Sequence, residues 1–293
     1  MSVRTDGDMS VRERLKGTLP DALRRPASDL YWWWHNRGQH ALAGAISPAR
    51  RRSARRLRAL RGRHAGERCF ILGNGPSLRR TDLSLLKDEV TFGLNRIYLL
   101  FPELGFTTTY FVSVNTLVIE QCAAEIQALP MPKFVTWRAR PWLRAGPDLI
   151  FVDTDYEGPP GFARQASGRV FEGSTVTYVA LQLAYHMGFD EVILLGVDHH
   201  FAAQGPANAT VVSTGDDPDH FAPGYFGRGF RWQLPDLEAS EQAYRMARQA
   251  FEADGRRVLN GTIGGKLEVF PRVDYPGLFP GHRVPEGARG LER

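Results

Sequence analysis

The chain has 293 residues, of which 43% are hydrophobic and 11% aromatic, so it can fill the core of one large or two small globular domains. Its formal net charge of +5 is unevenly distributed along the sequence. Residues 1–65 contain 15 Lys and Arg against 5 Asp and Glu, or +10, which leaves 22 against 27, or −5, for the remainder. Because the larger part is mildly acidic, the sequence argues against a nucleic-acid-binding protein.

Cysteine content and hydropathy indicate a cellular compartment. The only cysteines are Cys69 and Cys122, which is too few for a disulfide framework. No stretch approaches the roughly 20 apolar residues that cross a bilayer, and the first 30 residues lack the continuous apolar core of a signal peptide. We therefore expect a cytoplasmic protein, either soluble or peripheral to the inner face of the membrane.

Residues 1–65 are predicted to form a basic, helical N-terminal extension. An aromatic run at residues 31–34 precedes an arginine-rich run at residues 50–58. Aromatic and arginine side chains together suit an anionic membrane surface, where each basic residue contributes roughly 1 kcal/mol. The alternative is a solvated helix whose tryptophans pack on the main domain or on a second subunit in a homo-oligomer. In either case we expect the extension to be dispensable for folding of the body.

Residues 66–279 are predicted to form an α/β domain, Rossmann-like, with a mostly parallel sheet flanked by helices. Short apolar runs alternate with helical stretches, which is the pattern of such a sheet. The predicted strands are residues 69–72, 90–94, 109–114, 133–137, 149–152, 191–195 and 257–259. The predicted helices are residues 98–101, 118–129, 176–187 and 237–253.

Two further segments are not predicted to form regular structure. Residues 198–232, called the lid segment below, are rich in Gly, Pro, Asp, His and aromatic residues, and they are too long for an ordinary connection. Long irregular segments in compact domains are often lids or binding loops. Residues 280–293 are expected to be a frayed tail.

The strongest local motif is GNGPSL, which directly follows the first predicted strand and contains Gly73, Asn74, Gly75 and Ser77. Glycines permit a sharp turn and close approach of backbone N–H groups to a phosphate, while Asn74 and Ser77 add side-chain hydrogen bonds. The motif fits neither the P-loop nor the dinucleotide fingerprint. A purely structural turn explains it equally well.

Other candidate ligand-binding residues stand where further strands end or a helix begins. Asn95 and Arg96 follow a strand, where ligands bind in open α/β sheets, although a helix cap is the alternative. Ser174, Thr175 and Thr177 offer hydroxyl groups at a helix start, where an anion is stabilised by roughly 0.3–2 kcal/mol. Simple N-capping also explains part of that pattern.

Histidines and a carboxylate extend the candidate site into the lid segment. Asp198 and His200 follow the strand at residues 191–195, and His220 and Tyr225 lie further along. The histidines lack a recognised zinc spacing, so no metal site is predicted. An imidazole at His220 can remove a proton from an acceptor hydroxyl at neutral pH, a role worth about 10²–10⁴ in rate.

Five motifs, taken in this order, resemble a known group: the glycine loop at residues 73–78, Asn95 at a strand end, the helix entry at residues 173–187, the strand unit at residues 188–198 and the loop that contains His220. That group comprises the bacterial CMP-sialic acid sialyltransferases together with MptE-like and Maf flagellin glycosyltransferase domains. The resemblance spans roughly residues 67–275. It implies a Rossmann-like domain and a metal-independent displacement that inverts the anomeric centre of a nucleotide sugar.

The resemblance also implies roles for individual residues. On that model Asn74, Gly75 and Ser77 hold the cytidine monophosphate, and Asn95 contacts the ribose or the base. His220 is the general base that deprotonates a glycan or lipid-linked acceptor. Ser174, Thr175 and Thr177 lie near the phosphate or carboxylate of the donor.

One departure leaves the donor open. Where those sialyltransferases have a tyrosine that supports the leaving phosphate, this sequence has His200, and Tyr225 is a substitute candidate for that hydroxyl. The donor is therefore a sialic acid, a related nonulosonic or keto-sugar, or a sugar on another nucleotide.

Two alternatives from other functional classes remain. The first is an ATP-dependent 6-hydroxymethylpterin pyrophosphokinase, which requires magnesium held by carboxylates near the phosphates. The candidate carboxylates are Asp198, Asp216, Asp217 and Asp219. The second is a non-catalytic nucleotide-binding module.

Overall fold

The computed structural model describes residues 47–156, 158–215 and 217–279. The chain divides into two compact units, residues 1–51 and residues 52–293. The second unit contains the whole sheet. The aromatic run at residues 31–34 and the predicted tail at residues 280–293 lie outside the described residues.

An eight-stranded sheet forms the centre of the second unit. Its strand order is β10-β7-β1-β2-β3-β4-β5-β6, and each neighbouring pair is parallel. The strands are β1 Arg68–Leu72, β2 Thr91–Leu94, β3 Tyr110–Ser113, β4 Lys133–Thr136, β5 Leu149–Asp155, β6 Arg169–Phe171, β7 Glu191–Leu195 and β10 Arg257–Asn260. The predicted α/β, Rossmann-like architecture and all seven predicted strands are confirmed.

The helices of the described residues flank this sheet and include several short ones. They are α1 Pro48–Ala59, α2 Phe101–Leu104, α3 Thr116–Gln121, α4 Ala123–Ala128, α5 Val176–Met187 and α6 Leu237–Ala253, with 3₁₀ turns at Pro76–Arg80, Leu83–Leu86, Ile97–Leu100, Trp137–Ala139 and Pro276–Leu278. The predicted bounds of α5 and α6 are confirmed. The helix predicted at residues 118–129 is instead two helices, because Cys122 leaves the helical conformation at φ −119°, ψ 23°.

Helix α5 shows why its sequence begins and ends where it does. The side chain of Thr175 caps its first turn by accepting a hydrogen bond from the N–H of Thr177, and Gly188 ends it in the left-handed conformation at φ 94°. Between these two residues nearly every side chain is buried, so the helix packs directly on the sheet.

Helix α1 contributes core residues from the region predicted to be the extension. Leu57 and Leu60 are buried in the main hydrophobic cluster, and the buried Ser53 Oγ accepts a hydrogen bond from the N–H of Phe151 in β5 at 3.0 Å. The Arg56 guanidinium donates to the carbonyl of Leu149 at 3.1 Å. We propose that the folding boundary lies before residue 52 and not at residue 66.

The lid segment contains a small second sheet. Strands β8 Thr210–Val212 and β9 Arg231–Gln233 pair antiparallel, and most of the rest is irregular. Within the described ranges of the chain, no helix combines the length and apolar character needed to cross a membrane.

Candidate functional site

A cavity of about 310 Å³ opens beyond the carboxyl ends of the central strands. In the strand order, β2 and β3 follow on one side of β1, whereas β7 and β10 lie on its other side. The switch in strand order therefore falls between β1 and β7, which is where open α/β sheets form ligand crevices. The loops after β1, β2 and β7, the start of α5 and the lid segment line this cavity.

The loop after β1 packs tightly against the loop after β7. A Cβ atom added at Gly73 would lie 2.3 Å from the carbonyl oxygen of Gly196, and one added at Gly75 would lie 1.9 Å from Oδ2 of Asp198. The N–H of Gly73 donates to the carbonyl of Leu195, and that of Gly75 to Gly196, at 2.8 and 2.9 Å. These glycines therefore serve close packing, and their N–H groups are already bonded within the protein.

Asn74 is the residue of this loop whose side chain still has an unused hydrogen-bond acceptor. It lines the cavity, and its Oδ1 atom is buried without a hydrogen-bond partner among the described residues. Its own carbonyl accepts from the N–H of Phe221, which ties the loop to the lid segment at 2.9 Å. A buried amide oxygen without a partner costs free energy, so a bound ligand that donates a hydrogen bond would remove that cost.

Ser77 acts through Asp198. The Ser77 side chain is fully buried, its hydroxyl donates to Oδ2 of Asp198 at 2.6 Å, and its N–H donates to Oδ1 at 3.3 Å. Asp198 lines the cavity whereas Ser77 does not. Ser77 is therefore placed to orient the carboxylate rather than to contact a ligand.

We predict different outcomes for alanine at these two positions. Asn74→Ala should weaken nucleotide binding by about 1.5–3 kcal/mol if its bond reaches a charged group, with little change in Tm. Ser77→Ala should lower Tm as well, because it removes a fully buried hydroxyl and leaves the Asp198 carboxylate without that donor. Titration calorimetry and thermal melts separate the two effects. Unchanged nucleotide affinity in Asn74→Ala would show that this loop is a structural turn and does not bind the nucleotide.

The end of β2 places its two candidate residues differently. Asn95 lines the cavity, and its Oδ1 accepts a hydrogen bond from Ser113 Oγ at 3.0 Å. The Arg96 guanidinium lies over the rings of Tyr225 and Phe230, at 5.6 and 5.3 Å from their centroids. Arg96 does not line the cavity, so it holds the lid aromatics and is not placed to meet a ligand's negative charge.

Unusual backbone conformations concentrate at this cavity. In the described part of the chain, four non-glycine residues have positive φ, and all four line the cavity: Asn95 (48°), Ser174 (59°), His199 (51°) and Asn208 (62°). Left-handed conformations of such residues persist where the surrounding structure imposes them, and they cluster at ligand sites.

The start of α5 brings three hydroxyl groups to the cavity wall. Ser174, Thr175 and Thr177 all line it, as predicted for the anionic part of a ligand. Thr175 is also engaged as the helix cap, and its Oγ1 lies 3.3 Å from the hydroxyl of Tyr244. Because the first N–H groups of a helix and its dipole favour negative charge, this end of the cavity suits a phosphate or a carboxylate.

His220 is held in place by the carboxylate of Asp217, a residue that the sequence suggested only as a magnesium ligand. Its Nδ1 lies 2.9 and 2.8 Å from the two carboxylate oxygens of Asp217, and its ring stacks on Tyr225 with centroids 4.0 Å apart. Since a carboxylate only accepts hydrogen bonds, the neutral imidazole carries its proton on Nδ1. Nε2 is thereby left as a proton acceptor, and His220 lines the cavity.

Tyr225 and His200 occupy different positions from each other. Tyr225 is 1% exposed, and its hydroxyl accepts a hydrogen bond from the N–H of Arg96 at 3.2 Å, so the ring supports His220 and does not line the cavity. Burial raises the pKa of Tyr225 above its usual range, which keeps the phenol neutral. His200 is exposed and lines the cavity.

A second carboxylate–imidazole pair was not foreseen. The His199 side chain is 7% exposed, its Nε2 lies 3.3 Å from Oε1 of Glu241 in α6, and it lines the cavity. Burial lowers the pKa of His199, and Glu241 partly opposes that shift. No sequence signal marked this pair, because Glu241 lies within a helix predicted from periodicity alone.

Arg138 and Glu172 form an ion pair on the β4–β6 side of the cavity. Among the described residues, Arg138 is the only Arg or Lys side chain on the cavity wall. Burial raises the pKa of Glu172, and Arg138 opposes the shift. Neither residue belongs to a local motif, so sequence reasoning missed both.

Three of the four candidate magnesium ligands accept hydrogen bonds within the protein. Asp198 accepts from Ser77, Asp217 accepts from His220, and Asp219 accepts from the N–H groups of Ala202 and Ala203. In residues 47–156, 158–215 and 217–279, no group of three or more His, Cys, Asp or Glu side chains could hold a metal ion. Asp216 lies outside the described residues.

Comparison with known proteins gives one family and two distant structural similarities. The family described as "6-hydroxymethylpterin diphosphokinase MptE-like" matches residues 47–204. No curated protein sequence matches this chain.

The solved structures are similar at low identity. The MAf glycosyltransferase from Magnetospirillum magneticum AMB-1 gives a TM-score of 0.44 and 15% identity over 75% of this chain, which spans only 38% of that protein. The sialyltransferase CstII from Campylobacter jejuni, solved with the substrate analogue cytidine-5'-monophosphate, gives a TM-score of 0.41 and 14% identity over 71% of this chain and 85% of that one.

Proposed function

The chain belongs to the MptE-like family, and we propose that it is a glycosyltransferase that transfers a sugar from a nucleotide donor to a hydroxyl acceptor. The observation that carries this proposal is His220, which lines a cavity at the switch point of the sheet and is held from behind its Nδ1 atom by Asp217. Because Asp217 fixes the proton on Nδ1, Nε2 is the unprotonated nitrogen, and such a nitrogen on a residue that lines a ligand cavity suits a general base.

In the proposed reaction Nε2 of His220 takes the proton of the acceptor hydroxyl as its oxygen attacks the anomeric carbon of the donor. The bond from that carbon to the nucleotide phosphate breaks, and the electron pair leaves with the phosphate oxygen. Attack opposite the leaving group inverts the anomeric centre. Asp217 stabilises the imidazolium that forms, because the positive charge develops beside its carboxylate.

The leaving nucleotide gains negative charge that the protein must stabilise. We place it at the start of α5, where Ser174, Thr175 and Thr177 line the cavity and where the helix dipole favours an anion. His200 lines the same cavity and is the proposed side-chain donor to the phosphate. Tyr225 is not assigned this role, because its hydroxyl is bonded to the Arg96 backbone.

We propose a CMP-linked donor carrying a sialic acid or a related nonulosonic or keto-sugar. The order of the glycine motif, Asn95, the α5 entry and His220 supports this choice, since the sequence shares it with the CMP-sialic acid sialyltransferases. Arg138 adds support, because a guanidinium on the cavity wall suits the carboxylate of an acidic sugar. The proposed acceptor is a glycan or a lipid-linked glycan.

The second candidate is a diphosphokinase acting on a hydroxymethylpterin, which the description of the matched family suggests. His220 could deprotonate that hydroxyl too. Such a reaction uses magnesium held by carboxylates, and Asp198, Asp217 and Asp219 each already accept hydrogen bonds from the protein. Because a hydrogen-bonded carboxylate can still bind a metal ion, the response to magnesium in a nucleotide-binding assay distinguishes the two reactions.

A thermal-shift panel distinguishes these functions. We expect CMP without metal to stabilise the protein, because a ligand present at 100 times its Kd adds about 2.7 kcal/mol to the free energy of unfolding. In a domain of this size that corresponds to roughly 5–10 °C in Tm. The other arms are CDP, UDP, GDP, ADP and ATP, each with and without magnesium.

Each result has a defined meaning. Stabilisation only by ATP with magnesium would replace glycosyl transfer with the diphosphokinase reaction. Stabilisation by one of the nucleoside diphosphates instead of CMP would keep the glycosyltransferase and change the nucleotide of its donor. Binding of CMP without turnover of any CMP-sugar, in the wild type and in His220→Ala alike, would indicate a non-catalytic binding module.

A further inference from the structure

Helix α1 carries an arginine-rich surface that the proposed function does not use. The helix PARRRSARRLRA has six arginines in 12 residues. Arg56 is committed to the carbonyls of Gly146 and Leu149. Arg52, Arg55 and Arg58 are exposed.

These three arginines lie opposite the face that packs on the core. At about 100° per residue, Arg52, Arg55 and Arg58 cover an arc of about 120°, and its centre lies about 180° from that of Ser53 and Leu57. Ser53 and Leu57 are buried, at 3% and 2% exposure. Packing on the body therefore fixes the arginine face outward.

Four exposed arginines of this region form no ion pair within the described part of the protein. No ion pair joins Arg52, Arg55, Arg58 or the exposed Arg61, which follows the helix, to a described acidic side chain. By contrast, the exposed arginines of α6 are paired, Arg245 with Glu241 and Arg248 with Glu252. Like charges held close together repel one another unless an anionic partner approaches.

We propose that the arginine face of α1, formed by Arg52, Arg55 and Arg58, docks the protein on an anionic lipid surface, together with Arg61 in the turn after the helix. A membrane is favoured over a nucleic acid for two reasons. The cations share one short outward face instead of lining a groove, and the residues from 66 onward are net acidic. The sequence that leads to α1 also holds one tyrosine and three tryptophans at residues 31–34, which are residue types enriched at membrane interfaces.

This surface is independent of the cavity chemistry. It would hold the enzyme beside acceptors that are themselves anchored to lipid. The inference stands or falls separately from the proposed glycosyl transfer, because the test below measures only binding to vesicles.

The test is co-sedimentation of the full chain with vesicles of phosphatidylcholine alone or with 30% phosphatidylglycerol. We expect binding to the anionic vesicles only, and its loss as salt rises towards 1 M. The triple variant Arg52→Glu, Arg55→Glu, Arg58→Glu should bind about 100-fold more weakly, given the contribution of each basic residue near anionic headgroups.

The matched control reverses three exposed cations elsewhere, Lys87→Glu, Arg144→Glu and Arg228→Glu, and should retain binding. Circular dichroism checks that both variants are folded, and Arg→Gln changes at the same helix positions replace the glutamates if the helix unfolds. Equal loss in both triple variants would show non-specific attraction and overturn the proposal. So would unchanged binding of the helix variant, equal binding to neutral vesicles, or displacement from vesicles by an equal charge concentration of RNA.

Discussion

His220→Phe should retain donor affinity and lose turnover by about 10² or more. Phenylalanine keeps an aromatic ring to stack on Tyr225, as His220 does at 4.0 Å between centroids, but it cannot accept a proton. A general base acts on the acceptor in the transition state and not on ground-state nucleotide binding, so kcat should fall while the Kd for the nucleotide stays unchanged. Steady-state kinetics with the donor identified by the nucleotide panel measure the first quantity, and calorimetry the second.

Asp217→Asn gives this prediction its internal control. The amide can still accept a hydrogen bond from Nδ1 of His220, but it no longer supplies a negative charge beside the imidazolium. We expect turnover to fall by about tenfold or more, with a changed pH–rate profile and an intact fold. The variant His200→Ala tests a different role, which is stabilisation of the leaving phosphate. It should slow hydrolysis of the donor even when no acceptor is present. Wild-type turnover in His220→Phe across the pH range would refute the base assignment.

Deletion of residues 1–65 should leave a chain that does not fold, whereas deletion of residues 1–46 should leave a folded one. The longer deletion removes Leu57 and Leu60 from the core and takes away Ser53, which satisfies the N–H of Phe151. Two buried leucines contribute about 1.5–3 kcal/mol each, and an unsatisfied buried N–H costs about 1–3 kcal/mol. Together these losses approach the entire stability of an ordinary domain, about 5–15 kcal/mol.

The measurement is a pair of thermal melts on chains that begin at residue 47 and at residue 66. A cooperative transition in the first chain and none in the second is the expected result. If both chains melt at the same temperature, α1 does not contribute to the stability of the domain, and the folding boundary at residue 66 is correct. Leu57→Ala in the full chain supplies a smaller, graded version of the same test, with an expected loss of about 2–5 kcal/mol.

The sequence by itself determined the elements that local patterns encode. Helices α5 and α6 begin at caps that the sequence supplies, Thr175 and Asp236, and the apolar strands are buried as their composition requires. Strands β6, β8 and β9 were missed because a strand of three residues is too short to show periodicity. The sequence also allows the prediction that Asn74, Asn95 and Ser174 lie at one cavity, because parallel strands end at one edge of a sheet.

Only the tertiary structure decided which of these groups can act. The strand order places β7 beside β1, so that Ser77 donates a hydrogen bond to Asp198. The N–H groups of Gly73 and Gly75, which the sequence suggested as phosphate ligands, instead donate to carbonyl groups of the last residue of β7 and of the loop after it. Chain folding likewise pairs His199 with Glu241 and Arg138 with Glu172. Such pairs join residues from separate elements, and their contact depends on strand order and packing, which no local spacing specifies.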